Sequence, residues 1–425
     1  MPEFRLSLDA FLLHVRRECR FVLATCAASG IGYLGSVAAP VIVQALIETG
    51  LGHEQAGDLG TIELLTLALA SMLVTPYVPL VSHRKLAVGG TLIAALGLVV
   101  SAFSVGYAAM IAGRLVTGAG SGFAIAGANA AVAAREDAER IFAIIWTIGG
   151  AFTATLAMTL PGVVEGGKYP LGFGALLLLC MLGLPFIFWL PPRPVALRSR
   201  AAAADGRALT DVPGNSEPRI AGAFGPLALM ALAGMLLYTA GDQALWNFAY
   251  NIPIEAGVDP TIASQVLGFT TMMGLAGGAI AALLGVRLGR IFPIVVGSLL
   301  SVSGRWLYIS AAGTWALLAG SLLWGIGFYF VLPYQIGLVA AIDRKGRVAV
   351  AAAGAMNLGY AIGPSAAGRI LEFMDREWLV TVIAASTIAS MLLLLPLAIR
   401  VDSAARATRA ARAARAEVGR AAGAR

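Results

Sequence analysis

Twelve long apolar runs, separated by charge, glycine and proline, limit what this chain can become more than any other feature. They lie near 21–48, 57–81, 86–106, 108–132, 141–164, 170–190, 225–250, 260–284, 291–311, 315–338, 348–371 and 378–399. A helix that crosses a bilayer needs about 20 apolar residues, and lipid-facing backbone must satisfy its hydrogen bonds within its own segment. The runs are too long and too continuously apolar for barrel strands. The expected fold is therefore an all-α membrane protein. Of 425 residues 12% are charged and 59% hydrophobic, with a mean hydropathy of +0.83, which excludes a water-soluble enzyme.

Charge orients the spans, because Lys and Arg collect on the cytoplasmic side. Alternate connections carry Arg16, Arg17 and Arg20; Arg84 and Lys85; Arg135 and Arg140; Arg193 to Arg219; Arg287 and Arg290; and Arg344, Lys345 and Arg347. The opposite connections are acidic or bare, with Glu48, Glu54, Asp58, Glu255 and Asp259. Lys168, Arg369 and Arg376 run against the bias, in the company of Glu165, Glu372, Asp375 and Glu377. Both termini are expected in the cytoplasm. The first apolar run is too long for a cleavable signal, and Phe4 to Arg20 alternates apolar and charged residues as a short interfacial helix would.

The net charge of +7 does not point to nucleic acid. Six arginines of the last 25 residues (406, 409, 412, 415, 420 and 425), against Asp402 and Glu417, supply +4 of it. A basic tail after a hydrophobic helix suits anionic headgroups. Cys19, Cys26 and Cys180 have no disulfide or metal spacing, and His14, His53 and His83 stand far apart and read as ordinary surface residues. There is no ATP-binding loop, no metal-ligand cluster and no nucleophile with a base partner. Neither enzyme chemistry nor a cofactor is expected, so energy must come from an ion gradient or from the solute's own gradient.

The polar, Pro- and Ala-rich connection 191–224 splits the runs six and six. The expected organisation is an N-terminal segment 1–20, a six-helix bundle 21–190, the linker, a second bundle 225–400 and a basic tail 401–425. Basic clusters follow the second and fourth spans of both halves, the mark of a duplicated transporter fold. In the fourth span Arg114-Leu115-Val116-Thr117-Gly118-Ala119-Gly120-Ser121-Gly122 reproduces an Arg-x-x-x-Gly-x-Gly-x-Gly pattern. Arg287-Leu288-Gly289-Arg290 gives Arg-x-Gly-Arg after the eighth span, and Gly359, Gly363-Pro364 and Gly368 mark the eleventh.

With these motifs the chain resembles the major facilitator superfamily along nearly its full length. The resemblance implies two pseudo-symmetric six-helix bundles and solute transport by alternating access. Two departures matter. The first-half loop, Pro79 to Lys85, has no Asp where the family signature has one, and Val286 takes that place in the second half. The carboxylate latch of that side is therefore not supplied by these loops. The fifth span, Trp146 to Thr153, lacks the Gly-Pro element of drug/proton antiporters.

Four charges stand well inside the runs: Glu63, Arg114, Asp242 and Arg305. A charge at membrane depth costs a few kcal/mol and is a functional candidate by default. Glu63 and Arg114 lie six residues into descending spans, ~9 Å at 1.5 Å per residue, and Asp242 and Arg305 eight and six residues before the ends of rising ones. The expected pairs are Glu63 with Arg114 and Asp242 with Arg305, either as fixed pairs holding each half or as proton-coupling and gating groups. Asp242 is the preferred proton carrier, because Tyr238, Asp242 and Trp246 form one stripe at i, i+4 steps and Gln243, Asn247 and Tyr250 an adjacent one.

The resemblance also implies a midplane cavity. Its candidate wall is Tyr33, Asn129, Trp146, Tyr238, Gln243, Trp246 and Asn247, with Phe328, Tyr329, Phe330, Tyr334 and Gln335 in the tenth span and Asn357 and Tyr360 in the eleventh. An aromatic wall with amide groups suits an aromatic, amphipathic or sugar-like solute better than phosphate. The expected function is proton-coupled secondary transport of a small organic solute by a monomer in a bacterial inner membrane. Its 27 Arg against 3 Lys point to a GC-rich bacterial genome. Export stands ahead of uptake of an organic acid or sugar, since no sugar- or peptide-porter signature is present. A non-transporting receptor or scaffold on the same fold is the reading from another class.

Overall fold

The computed structural model describes residues 2–78, 80–135, 138–191, 225–311, 313–341 and 347–423. The basic linker expected after Pro191 and the loop residues Arg344 and Lys345 lie outside them. Among the described residues there are twelve long helices: α1 (Pro2–Glu48), α2 (His53–Val74), α3 (His83–Ala102), α4 (Tyr107–Ala133), α5 (Ala138–Val164), α6 (Tyr169–Ile187), α7 (Pro226–Phe248), α8 (Pro260–Leu284), α9 (Ile291–Ile309), α10 (Thr314–Ala340), α11 (Arg347–Phe373) and α12 (Arg376–Gly423). A short turn of helix, Asn251–Glu255, follows α7. Among the described residues there is no strand.

Eleven of these helices contain a stretch long and apolar enough to cross a membrane, by length and composition. The other is α11, which has the length at 27 residues but carries Asn357 and Arg369 in a Gly- and Ala-rich sequence. Leu69, Leu73, Leu96, Leu178 and Leu392 are half or more exposed on the helices. That much bare apolar surface is unusual for a protein in water and is what hydrocarbon requires. Hydroxyls inside the spans return their protons to the preceding turn, as Thr91 does to the Ala87 carbonyl at 2.9 Å and Ser101 to that of Gly97 at 2.8 Å.

One expectation near the N-terminus needs correction. The segment Phe4 to Arg20 is no separate interfacial helix, since α1 runs unbroken from Pro2 to Glu48. Leu, Arg and Glu around the expected joint are good helix formers, with no Gly or Pro there to stop propagation. At the other end α12 runs on into the basic tail, through Gly423.

By contacts the described chain forms two compact units. Unit 1 gathers α1–α6 together with residues 243–272 and 361–376; unit 2 gathers α7 up to Asp242, residues 273–360 and α12 from Glu377. Within unit 1, α4 packs through its glycines on two neighbours at once. A side-chain carbon at Gly118 would run into the Glu63 carbonyl and one at Gly122 into that of Leu67, both on α2, whereas one at Gly120 would strike Ala94 of α3. The Gly-x-Gly-x-Gly spacing thus serves two helix contacts, the close approach that small residues allow in membranes. Unit 2 has a core that includes Leu227, Met235, Ile294, Phe330, Tyr334 and Leu394.

Candidate functional site

Each unit buries one ion pair inside its helices. In unit 1, Arg114 of α4 donates from Nη1 to Glu63 Oε2 of α2 at 2.9 Å. Its Nε and Nη2 both donate to the Ser101 hydroxyl of α3, at 3.2 and 2.6 Å, and the guanidinium lies 4.4 Å from the centre of the Phe173 ring. Each of the three guanidinium nitrogens therefore makes a hydrogen bond. A cavity of about 30 Å³, room for one water-sized occupant, adjoins the pair and is lined by Gly35, Gly60 and Asn247 among others.

In unit 2, Arg305 of α9 donates from Nη2 to Asp242 Oδ1 of α7 at 3.0 Å and from Nη1 to Thr387 of α12 at 2.9 Å. Trp324 of α10 donates its indole N–H to the same Asp242 oxygen at 2.8 Å. Tyr238 and Phe328, stacked with ring centres 5.3 Å apart, lie 5.4 and 5.8 Å from the guanidinium. One feature separates this pair from the first: among the described residues Arg305 Nε is buried without a hydrogen bond, whereas Arg114 Nε has Ser101. In both pairs one carboxylate oxygen, Glu63 Oε1 and Asp242 Oδ2, makes no hydrogen bond among the described residues. Sequence reasoning placed all four charges but not Ser101, Thr387, Trp324 or Phe173, which come from helices remote in sequence and carry no local signal.

The candidate wall residues separate. In unit 1, Gln243 donates to the Ser36 hydroxyl of α1 at 3.2 Å and Trp246 to the Ser36 carbonyl at 2.8 Å, so that a serine the sequence gave no reason to single out joins them. Asn247 donates to the Gln243 carbonyl at 3.1 Å and leaves its own buried Oδ1 unpartnered. Tyr33 and Trp146 meet with ring centres 6.3 Å apart, and Trp146 is 55% exposed. Asn129 is exposed and joins none of these. In unit 2, Tyr238 is fully buried against Arg305, while Phe330 and Tyr334 pack edge to face in the core. Gln335 is fully buried, with neither amide atom hydrogen-bonded among the described residues; Asn357 and Tyr360 are half-buried.

A polar cluster at the start of α2 was not anticipated. His53 Nε2 lies 2.8 Å from Glu255 Oε1, and its backbone N–H donates to Glu372 at 2.6 Å. Arg369 of α11 pairs with Asp58 at 2.9 Å and Glu54 at 3.2 Å, and Ser365 joins Asp58 and Arg369. Arg376 donates to the Ile252 carbonyl at 3.3 Å. Two acids of α2, Glu54 and Asp58, thus hold Arg369. His53 is likewise no isolated surface residue. The hydrogen bond from His53, aided by Asn251, holds the Glu255 carboxyl below its ordinary range.

At the turn after α8, Asp402 of α12 accepts from the backbone N–H of Arg290 at 2.7 Å and of Ile291 at 3.3 Å and lies 3.6 Å from the Arg290 guanidinium. Gly289, at φ +73°, turns the chain where a side chain would meet Asp402. Arg287 is exposed. Among the described residues no group of three or more His, Cys, Asp or Glu is placed to hold a metal ion.

Apolar helices with charged pairs buried inside them mark a multi-pass membrane protein. Residues 21–353 match the family model described as Major Facilitator Superfamily, and the chain belongs to that superfamily of secondary transporters rather than to an enzyme family. Its fold is similar to that of a bacterial homolog to the human lysosomal transporter Spinster, solved in an inward-facing and unoccupied conformation. The TM-score is 0.64 at 16% identity, covering 92% of this chain and 97% of that one. At that identity the likeness is one of fold alone. No curated protein sequence matches the chain.

Proposed function

We propose that the protein moves a small organic solute by proton-coupled alternating access, with Asp242 as the residue that takes up and releases the proton. The observation that carries this reading is the difference between the two buried pairs. All three nitrogens of Arg114 are hydrogen-bonded, which suits a fixed strut. Arg305 leaves Nε unbonded, and its acid, Asp242, stands on the polar stretch of α7. A carboxylate at this depth must be neutralised by a partner cation or by a proton, and in this reading Asp242 exchanges the first for the second during the cycle. The polar run Gln243, Trp246 and Asn247 continues one turn along α7 and is the natural contact for an aromatic or amphipathic solute.

The two sequence halves, 21–190 and 225–400, are the bodies that rock in this reading, in a monomer in a bacterial inner membrane, with export ahead of uptake. Proteoliposome transport with an imposed pH gradient tests it, after thermal-shift screening of sugars, aromatic acids and lipophilic cations has found the solute class. Asp242→Asn should abolish gradient-driven accumulation while solute exchange without a gradient persists. Unchanged pH dependence in that variant would overturn the assignment of the proton. No thermal shift with any class would instead favour a non-transporting role.

A further inference from the structure

A groove of about 590 Å³ opens in unit 2 beside the turn between α8 and α9 and the final stretch of α12 described above. Its wall is apolar, formed by Leu288, Phe292, Val295 and Val296, and Leu288 and Phe292 are 54% and 48% exposed. Arg287 and Arg406 stand on its rim, both exposed and neither paired with a carboxylate among the described residues. The one acid in the lining, Asp402, does not offset them. Its oxygens are already engaged by the amides of Arg290 and Ile291 and by the Arg290 guanidinium.

The groove therefore pairs an uncovered hydrocarbon-like wall with two uncompensated guanidinium groups. It also lies at the end of two apolar spans, α8 and α9, which is the depth of lipid headgroups. We propose that it is a binding site for a phospholipid with an anionic headgroup, the phosphate held by Arg287 and Arg406 and an acyl chain along Phe292, Val295 and Val296. Guanidinium forks suit phosphate oxygens, and a volume of this size falls in the range of small-molecule sites. A free phosphate would use the arginines but leave the apolar wall bare, so charge and shape together select the lipid. The occupant also links α8–α9 to α12 at the point where Asp402 already fastens them.

Native mass spectrometry of the full-length protein in detergent tests the proposal. The probes are phosphatidylglycerol, phosphatidylcholine with the same chains, and inorganic phosphate. The unmodified protein should retain one phosphatidylglycerol in preference to phosphatidylcholine, and millimolar phosphate should not displace it. The double variant Arg287→Gln with Arg406→Gln, whose changes are at exposed positions, should lose about tenfold in retention, with the remaining tail arginines present in both proteins. Val295→Trp, which fills the groove and keeps both arginines, should lose the lipid as well. Equal retention of both lipids, retention unaffected by either variant, or displacement by inorganic phosphate would each overturn the proposal, the last by revealing a simple anion site.

Discussion

The carboxylate of Glu63 occupies the space that a side chain on Gly35 would need: a carbon added at Gly35 of α1 would overlap Glu63 Oε1 and stand 2.9 Å from Oε2. An acid on α2 can therefore lie against α1 and still reach Arg114 on α4.

Gly35→Ala should push the carboxylate off Arg114 and destabilise the protein by about 1–3 kcal/mol, the usual penalty for overpacking. Thermal melts of Gly35→Ala, Glu63→Ala and the double variant check it. The loss from Gly35→Ala should shrink in the Glu63→Ala background by more than ~0.5 kcal/mol, because the competing side chain is gone. Simple additivity would mean that the two residues do not compete for space.

Removing either member of a buried pair leaves the other charge uncompensated. Arg305→Met strands the Asp242 carboxylate and should lower stability by about 3–5 kcal/mol. Asp242→Asn keeps an oxygen that can accept from Trp324 but strands the buried Arg305 guanidinium, which cannot lose its proton, and should cost a comparable amount. The melting temperatures of the two variants are the readout, and melting unchanged in both would show that the pair does not support unit 2.

Asp402 fastens the turn between α8 and α9 from a helix more than 100 residues away in sequence. Asp402→Ala should remove about 1 kcal/mol, as loss of a cap does, and raise hydrogen exchange at the amides of Arg290 and Ile291. Exchange unchanged at those two amides would show that the capping bonds carry nothing. Gly289→Ala, at positive φ beside Asp402, should destabilise through strain at the same turn.

Acid should loosen the cluster at the start of α2. The carboxyl of Glu255 is held below its ordinary value, near 4.5, by the hydrogen bond from His53. A depressed value in the folded protein means that its contribution is complete above the ordinary value and fades as pH falls through the lower, folded one. Melting temperatures at pH 6.5, 4.5 and 3.5 should fall more steeply for the unmodified protein than for Glu255→Gln, with the difference confined to the acid end. Parallel profiles would remove Glu255 from the account.

Much of the fold was legible in the sequence because a bilayer asks little more of a segment than length, apolarity and internal hydrogen bonding. The twelve apolar runs correspond to α1–α12, with ends shifted by a few residues; the second, read as 57–81, is α2 at His53–Val74 followed by a 3-10 turn, Thr75–Tyr77. The exceptions lie at the chain ends. There helix propensity carried α1 and α12 past the hydrophobic boundary, and a hydropathy pattern does not record propensity.

The charges in the site were legible for a related reason: in an apolar run, Glu63, Arg114, Asp242 and Arg305 stand out individually. Their surroundings did not. Ser36, Ser101, Trp324 and Thr387 are ordinary residues of membrane helices until packing brings them within hydrogen-bond distance of Trp246, Arg114, Asp242 and Arg305. The same holds for Asp402, which looked like one acid in a basic tail until the fold placed it on the amides of Arg290 and Ile291.

The sequence by itself determined the spans, their number and the presence of charge inside them, because those depend on transfer free energies that each segment carries alone. Only the tertiary structure decided which oxygen faces which guanidinium, which guanidinium has every nitrogen bonded and which leaves Nε bare, and that His53 meets Glu255. A hydrogen bond is fixed by distances of a few tenths of an ångström between helices far apart in the chain, and no local pattern encodes those distances.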